Sequence, residues 1–164
     1  MSDSRIRVII VDDHDLVRNG LAVLLEAFED LDLVGSAANG QEAVQMCDQI
    51  ETDVVLMDLV MPKMDGITAT RTLHQRHPRV QVVALISFGE QQLLEEVMAA
   101  GATSYVLKSA PIDQVARAIR TAARDSNPRP DTALRDTPPV PPSHESRDDR
   151  SHGPQDPWLR KVVG

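Results

Sequence analysis

Along the first 124 residues the apolar positions switch repeatedly between two spacings. Short runs rich in Val, Ile and Leu, bounded by turn residues, read as strands buried on both faces. They are RIRVIIV, DLVGSAA, TDVVLMD, RVQVVALIS and TSYVLK. Between them the apolar residues recur every three to four positions, which is the spacing of an amphipathic helix. The first such segment, HDLVRNGLAVLLEAF, places Leu16, Val17, Leu21, Leu24, Leu25 and Phe28 on one stripe. GQEAVQMCDQI, DGITATRTLHQRH, EQQLLEEVMAAG and PIDQVARAIRTAA follow, with Pro78 stopping the third helix, Gly101 capping the fourth and Pro111 near the first turn of the fifth. Five strand–helix units in strict alternation predict an α/β fold, a parallel sheet with helices on both faces. Right-handed crossovers then favour a doubly wound five-stranded sheet of order 2-1-3-4-5.

After Arg124 the pattern stops. Residues 125–164 hold eight of the eleven prolines, with Ser, Asp and Arg between them. Such a segment buries too little apolar surface to offset its ordering entropy, so a disordered tail is expected behind a folded domain at 1–124. The closing WLRKVVG is apolar but too short to fold alone. Over the whole chain, 41% apolar content with 2% aromatic implies a core of Val, Leu, Ile, Met and Ala. A net charge of −8 argues against a nucleic-acid surface. The single cysteine, Cys47, excludes an internal disulfide and reads as a buried small hydrophobe. No apolar stretch approaches the roughly 20 residues of a membrane span, and MSDSRIR is no secretory signal, so the cytoplasm is the expected compartment.

The predicted topology says where to look for chemistry. Ligands of open parallel sheets bind outside the carboxyl ends of the strands where the winding reverses, between the first and third strands in this order. The first strand ends VIIVDDHD and delivers Asp12 and Asp13. The third, in VVLMDLVMPKMDG, delivers Asp58, and Pro62 and Gly66 break the backbone behind it. Three carboxylates so close repel one another unless a cation intervenes. An all-oxygen cluster suits a hard cation, Mg²⁺ above all. Capping by Asp12 or Asp13 would be the bland alternative, but it leaves Asp58 unexplained. His14 reads as a helix-start residue rather than a ligand. The fifth strand ends SYVLKSAP, bringing Lys108 to the same edge. Metal and Lys would stabilise charge on a transferring phosphoryl group, with Asp58 as the carboxylate nucleophile that forms an acyl phosphate.

VIIVDDHDLVRNGL, DVVLMDLVMPKMDG, AAGATSYVLKSA and QVARAIRTAA together resemble the receiver domain of bacterial two-component response regulators, in its NarL/LuxR-type branch. The resemblance covers residues 5 to about 124 and implies the flavodoxin-like fold. It also implies a phosphorylation-dependent signalling switch that catalyses only its own phosphorylation and dephosphorylation. Asp58 would be the phosphoacceptor, fed by a sensor histidine kinase. Asp12 and Asp13 would hold Mg²⁺, Asp13 directly, with the Val60 backbone carbonyl joining Asp58 as a ligand. Lys108 would pair with the phosphoryl group, and Tyr105 would occupy the aromatic switch position.

Two departures stand out. The family's Ser or Thr at the end of the fourth strand falls on Ile86 when the chain is aligned without a gap on Lys108 and AAGA. Ser87 comes one residue late, and adjacent strand residues point to opposite faces, so the hydroxyl is expected to be missing. NarL/LuxR-type regulators also continue into a helix-turn-helix, and nothing after Arg124 supplies one. DNA binding is therefore not expected, and the chain could be the receiver part of a truncated transcriptional regulator. Helices 4 and 5 carry more apolar positions than one buried stripe needs, which suggests a homodimer or a downstream protein there. Other classes fit worse. A dinucleotide site would need a Gly-rich first turn, and an Asp-nucleophile phosphatase a second Asp where Val60 stands. The serious rival is a pseudo-receiver that recognises partners without phosphorylation.

Overall fold

The computed structural model describes residues 4–126. Its elements run β1 (Ile6–Val11), α1 (Asp15–Leu25), β2 (Leu31–Ala37), α2 (Gly40–Gln49), β3 (Val54–Asp58), α3 (Gly66–Arg76) and β4 (Gln81–Ile86). A single 3-10 turn (Gln91–Leu93), α4 (Leu94–Ala100), β5 (Ser104–Leu107) and α5 (Ile112–Ser126) complete the order. All pairings are parallel and the sheet order is β2-β1-β3-β4-β5, as the alternation of periods predicts. The first two residues assigned to the tail, 125 and 126, belong to α5. The rest of it, WLRKVVG included, lies outside the described residues.

Strand alternation divides the core in two. Ile9, Val11, Val55, Met57, Ala84 and Ile86 face α2, α3 and α4. Val8, Ile10, Val54, Leu56, Val83 and Leu85 face α1 and α5, where Val115, Ala116, Ile119 and Ala122 meet them. All five residues of β3 are buried, Asp58 among them. Each buried Val, Leu or Met side chain contributes roughly 1.5–3 kcal/mol, so the strand can hold a carboxylate at its tip. Asn39 caps α2 by accepting from Glu42 N–H, and Asp65 caps α3 by accepting from Thr68 N–H. Gly101 ends α4 at φ +121, as its position as a cap predicts.

Two local expectations are corrected. The apolar stripe read on the first helix is not a single buried face. Leu25 is buried and Leu21 and Phe28 pack partly beside it, whereas Leu16, Val17 and Leu24 are exposed. The reason is angular: the sheet covers less of the helix than its apolar residues span. The fourth helix starts late, at Leu94. Glu90 instead turns its carboxylate back to accept from Ser87 N–H, and Leu93 N–H bonds Glu90 O in a tighter i→i+3 turn. The apolar positions of α5 pack against the core, Val115, Ala116, Ile119 and Ala122 buried and Ile112, Ala118 and Ala123 partly so. On α4 and α5 the only large hydrophobic side chain left exposed among the described residues is Met98.

Candidate functional site

β1, β3 and β5 end at the same sheet edge and bring Asp12, Asp13, Asp58 and Lys108 together. Asp12 and Asp58 are almost wholly buried. Lys108 Nζ lies 3.0 Å from Asp58 Oδ1 and 3.2 Å from Asp12 Oδ2. Its own backbone N–H bonds Ile86 O at 2.8 Å, which extends the β4–β5 ladder by one residue and fixes where the side chain starts. Asp58 Oδ1 also accepts the Leu59 N–H at 2.9 Å. Asp58 Oδ2, by contrast, is buried and accepts no hydrogen bond. An orphaned charged oxygen at this depth is unfavourable without a partner, so it marks a place made for one.

The loop behind Asp58 is held by close packing. Gly66 N–H bonds Leu59 O at 2.8 Å, and a Cβ at Gly66 would sit 2.0 Å from Asp58 O. Only glycine fits there. Lys63 takes φ +68 to turn the chain, Leu59 and Met61 point into the core, and Val60 is exposed.

Ligand atoms from Asp12, Asp13, His14 and Asp58 lie within 4.8 Å of one another. Asp12 Oδ2 and Asp13 Oδ1 are, like Asp58 Oδ2, buried and without hydrogen bonds; each has only an ion-pair contact, to Lys108 and to His14 respectively. Three carboxylates with one under-satisfied oxygen each fit a hard divalent cation. His14 does stand at the start of α1, as its sequence position suggests, but its side chain makes no capping bond. Its Nδ1 lies 3.2 Å from both Asp12 Oδ1 and Asp13 Oδ1, so the ring stands beside the carboxylates.

The electrostatics follow from burial. Desolvation pushes the Asp58 carboxyl up to about 6, with the Asp12 charge adding to it, while Lys108 and the Leu59 N–H pull the other way. For Lys108 burial works to lower the ammonium pKa, but its bond and charge contact with Asp58, helped by Asp12, more than offset this and the net shift is upward. Lys108 therefore stays charged.

The switch positions differ in burial. Ile86 is completely buried in the core on the α3/α4 side, in the cluster against which Tyr105 packs. Ser87 is half-buried and its N–H is engaged by Glu90. Arg18 was not singled out from the sequence, yet its guanidinium bonds Asp12 O at 2.5 Å and Asp15 at 2.6 Å, tying the first turn of α1 to the acidic loop. Only the helix phase that carries Arg18 back over Asp12 would have revealed it. Cys47 is buried beside a separate cleft formed with Arg7, Asp53, Arg76 and His77, and burial raises its thiol to about 11. That is the inert, hydrophobe-like cysteine expected.

Residues 8–120 match the response regulator receiver domain family. The chain is 42% identical over 119 residues to the transcriptional regulatory protein LiaR of Bacillus subtilis, covering 73% of this chain and 56% of that one. It is 37% identical over 119 residues to the response regulator protein VraR of Staphylococcus aureus, covering 73% and 57%. The chain thus spans about half the length of the curated relatives it matches. Among solved structures it is similar to a LuxR-family response regulator from Aurantimonas sp. SI85-9A1, with 30% identity, TM-score 0.70, and 74% and 87% of the two chains covered. It also resembles the receiver domain of the NarL response regulator of Mycobacterium tuberculosis, with 26% identity, TM-score 0.70, and coverage of 74% and 98%.

Proposed function

Because the chain belongs to the response regulator receiver domain family, a family of signalling domains, we propose that it is a cytoplasmic phosphorylation-dependent switch of a two-component system. Asp58 is the phosphoacceptor and a sensor histidine kinase is the donor. The observation that carries this reading is the asymmetry of the Asp58 carboxylate. Oδ1 is held by Leu59 N–H and Lys108, while Oδ2 is buried and free. The Asp58 carboxylate is the nucleophile. It attacks phosphorus as the bond to the donor nitrogen breaks, and the product is an acyl phosphate on Asp58. With its pKa at about 6, most of Asp58 is ionised at neutral pH and able to attack. Lys108 then exchanges carboxylate for phosphoryl oxygen as partner.

Mg²⁺ would be held by Asp12, Asp13 and Asp58 with the Val60 carbonyl, and when bound it supplies the positive charge that lets a phosphate dianion approach three carboxylates. Arg18 fixes the loop carrying Asp12, and Leu59 N–H fixes the orientation of Asp58. Residues 1–124 form the switch, which signals through protein–protein contact. No helix among the described residues is long and apolar enough to cross a membrane.

A second reading rests on Ile86. A completely buried Ile where the family's hydroxyl stands favours a binding module that works without phosphorylation. Incubation with Mg²⁺ and acetyl phosphate followed by intact-mass spectrometry separates the two. The proposed switch gains one phosphoryl group, Asp58→Asn gains none, and Asp13→Asn loses the Mg²⁺ dependence or most of the labelling. Unlabelled wild-type protein, or labelled Asp58→Asn, refutes the phosphoacceptor assignment.

A further inference from the structure

The His14 side chain has no part in starting helix α1. It stands at the N-cap position, yet makes no capping bond. The backbone fixes its place instead. The His14 N–H donates to Asp12 Oδ1 at 2.8 Å, and Arg18 ties Asp12 O to the first turn of the helix. The ring therefore leaves the chain beside the carboxylates, with Nδ1 3.2 Å from Asp12 Oδ1 and 3.2 Å from Asp13 Oδ1. A charge-assisted bond from nitrogen to one carboxylate closes to about 2.7–2.9 Å. Equal and longer distances to two oxygens describe a ring that faces a shared centre rather than one partner.

The spacing fits a coordination shell. Ligand atoms side by side at about 2.1 Å from a six-coordinate cation stand about 3 Å apart, and opposite ones about 4.2 Å. His14 Nδ1 is already near the first separation from two carboxylates. The ligand atoms of Asp12, Asp13, His14 and Asp58 all lie within 4.8 Å of one another, so a contraction of about half an ångström gathers them around one centre. Two atoms lack any other partner there. Asp58 is 1% exposed and its Oδ2 is buried without a hydrogen bond, and Asp13 Oδ1 is buried with only His14 beside it. The His14 side chain is 66% exposed, which leaves the far side of the ring in solvent, where a ligating imidazole can keep its other proton.

On the reading of this pocket as a cation site, we propose that His14 Nδ1 is itself a ligand and tunes the pocket toward late first-row divalent cations, of the class of Co²⁺, Ni²⁺ and Zn²⁺. Carboxylate and carbonyl oxygens alone suit Mg²⁺, which sheds its water reluctantly. An imidazole nitrogen suits the later metals and adds little for Mg²⁺. Late metals bind most sites more tightly than Mg²⁺ whatever the donors, so the mark of His14 is the change in the ratio of affinities when the ring is removed. Losing a group that merely orients a metal ligand already costs about 10–100-fold in affinity. Losing the nitrogen itself should therefore cost a late metal at least about tenfold more than it costs Mg²⁺.

Isothermal titration of the full chain with Co²⁺ and with Mg²⁺, each alone and in competition, tests this. Co²⁺ is expected to bind at a site from which excess Mg²⁺ displaces it. His14→Ala and His14→Asn should each lower the ratio of Co²⁺ to Mg²⁺ affinity at least about tenfold. Asn is among the best N-caps, so His14→Asn should keep or raise the melting temperature of the metal-free chain. Its lost Co²⁺ affinity then cannot come from a damaged helix start. In proton NMR spectra of the Co²⁺-loaded chain, the ring of one of the five histidines should carry large hyperfine shifts, and both variants should lack those signals. A ratio that does not fall, or Co²⁺ that Mg²⁺ cannot displace, overturns the proposal and leaves the Mg²⁺ reading standing. A wild-type chain that binds neither cation overturns the cation site, and the role of His14 with it.

Discussion

Replacing Asp58 by Asn should stabilise the metal-free protein even as it removes the proposed phosphoacceptor. Burial raises the Asp58 carboxyl from its ordinary 3.8 to about 6. Its folded state therefore holds the proton more tightly than its unfolded state. Such a group imposes no penalty below the unfolded pKa, an increasing one between about 4 and 6, and the full one above 6. At about 1.4 kcal/mol per unit, the ionised form weakens the apo fold by roughly 3 kcal/mol near pH 7.5 and by only about 1 kcal/mol near pH 4.5. Asn retains an oxygen that can accept from Leu59 N–H and Lys108, and puts an uncharged amide where Oδ2 faces the other carboxylates. The expected gain is about 1–3 kcal/mol near neutral pH, shrinking as pH falls. Urea unfolding in EDTA at the two pH values, followed by circular dichroism, measures it. Adding Mg²⁺ should stabilise the wild type more than the variant, since only the wild type keeps all three carboxylates. An Asp58→Asn protein no more stable than wild type near pH 7.5, or a gain that does not change with pH, would refute the reasoning.

Four further outcomes are expected. Ile86→Thr should shift the phosphorylated population toward the active conformation by about tenfold to a hundredfold, the worth of one hydrogen bond to a charged oxygen. Amide chemical shifts around Tyr105 and α4 read the change, and a wild type that already shifts as far as the variant would mean that Ser87 or another group supplies the bond. Ile86→Thr should also lower stability by about 1 kcal/mol or more in urea unfolding, because it puts a hydroxyl into a completely buried position. Gly66→Ala forces a Cβ to within 2.0 Å of Asp58 O, and should destabilise the fold by several kcal/mol, on the scale of severe overpacking, and reduce phosphodonor labelling; near-normal stability in urea would contradict the close packing described. Removing residues 127–164 should leave folding and labelling intact, since among the described residues every buried hydrophobic lies between Val8 and Ala122. Aggregation or unlabelled protein would count against that.

How much of this was legible in the sequence depends on the range of the interaction concerned. The alternation of strand and helix periods carried the topology, because a strand buried on both faces and a helix buried on one impose different spacings on their own residues. Asp12, Asp13, Asp58 and Lys108 could be placed together for the same reason: a parallel sheet sends every strand's carboxyl end to one edge. Ile86 could likewise be placed at the end of the fourth strand from the alternation alone. Angles and distances between elements were not. Whether Leu16 and Leu24 join Leu25 in the core depends on how far the sheet wraps around α1, and no local pattern states that. The turn of the His14 ring toward Asp12 and Asp13, the reach of Arg18 to Asp12 O, and the retreat of the start of α4 to Leu94 each depend on a side chain choosing a partner. The same holds for Asp58. Its sequence shows a carboxylate at the tip of a buried strand, but only packing decides that one oxygen is held by Leu59 and Lys108 while the other is buried without a partner. Periodicity is a property of one segment, whereas burial of a particular atom is the sum of everything folded against it.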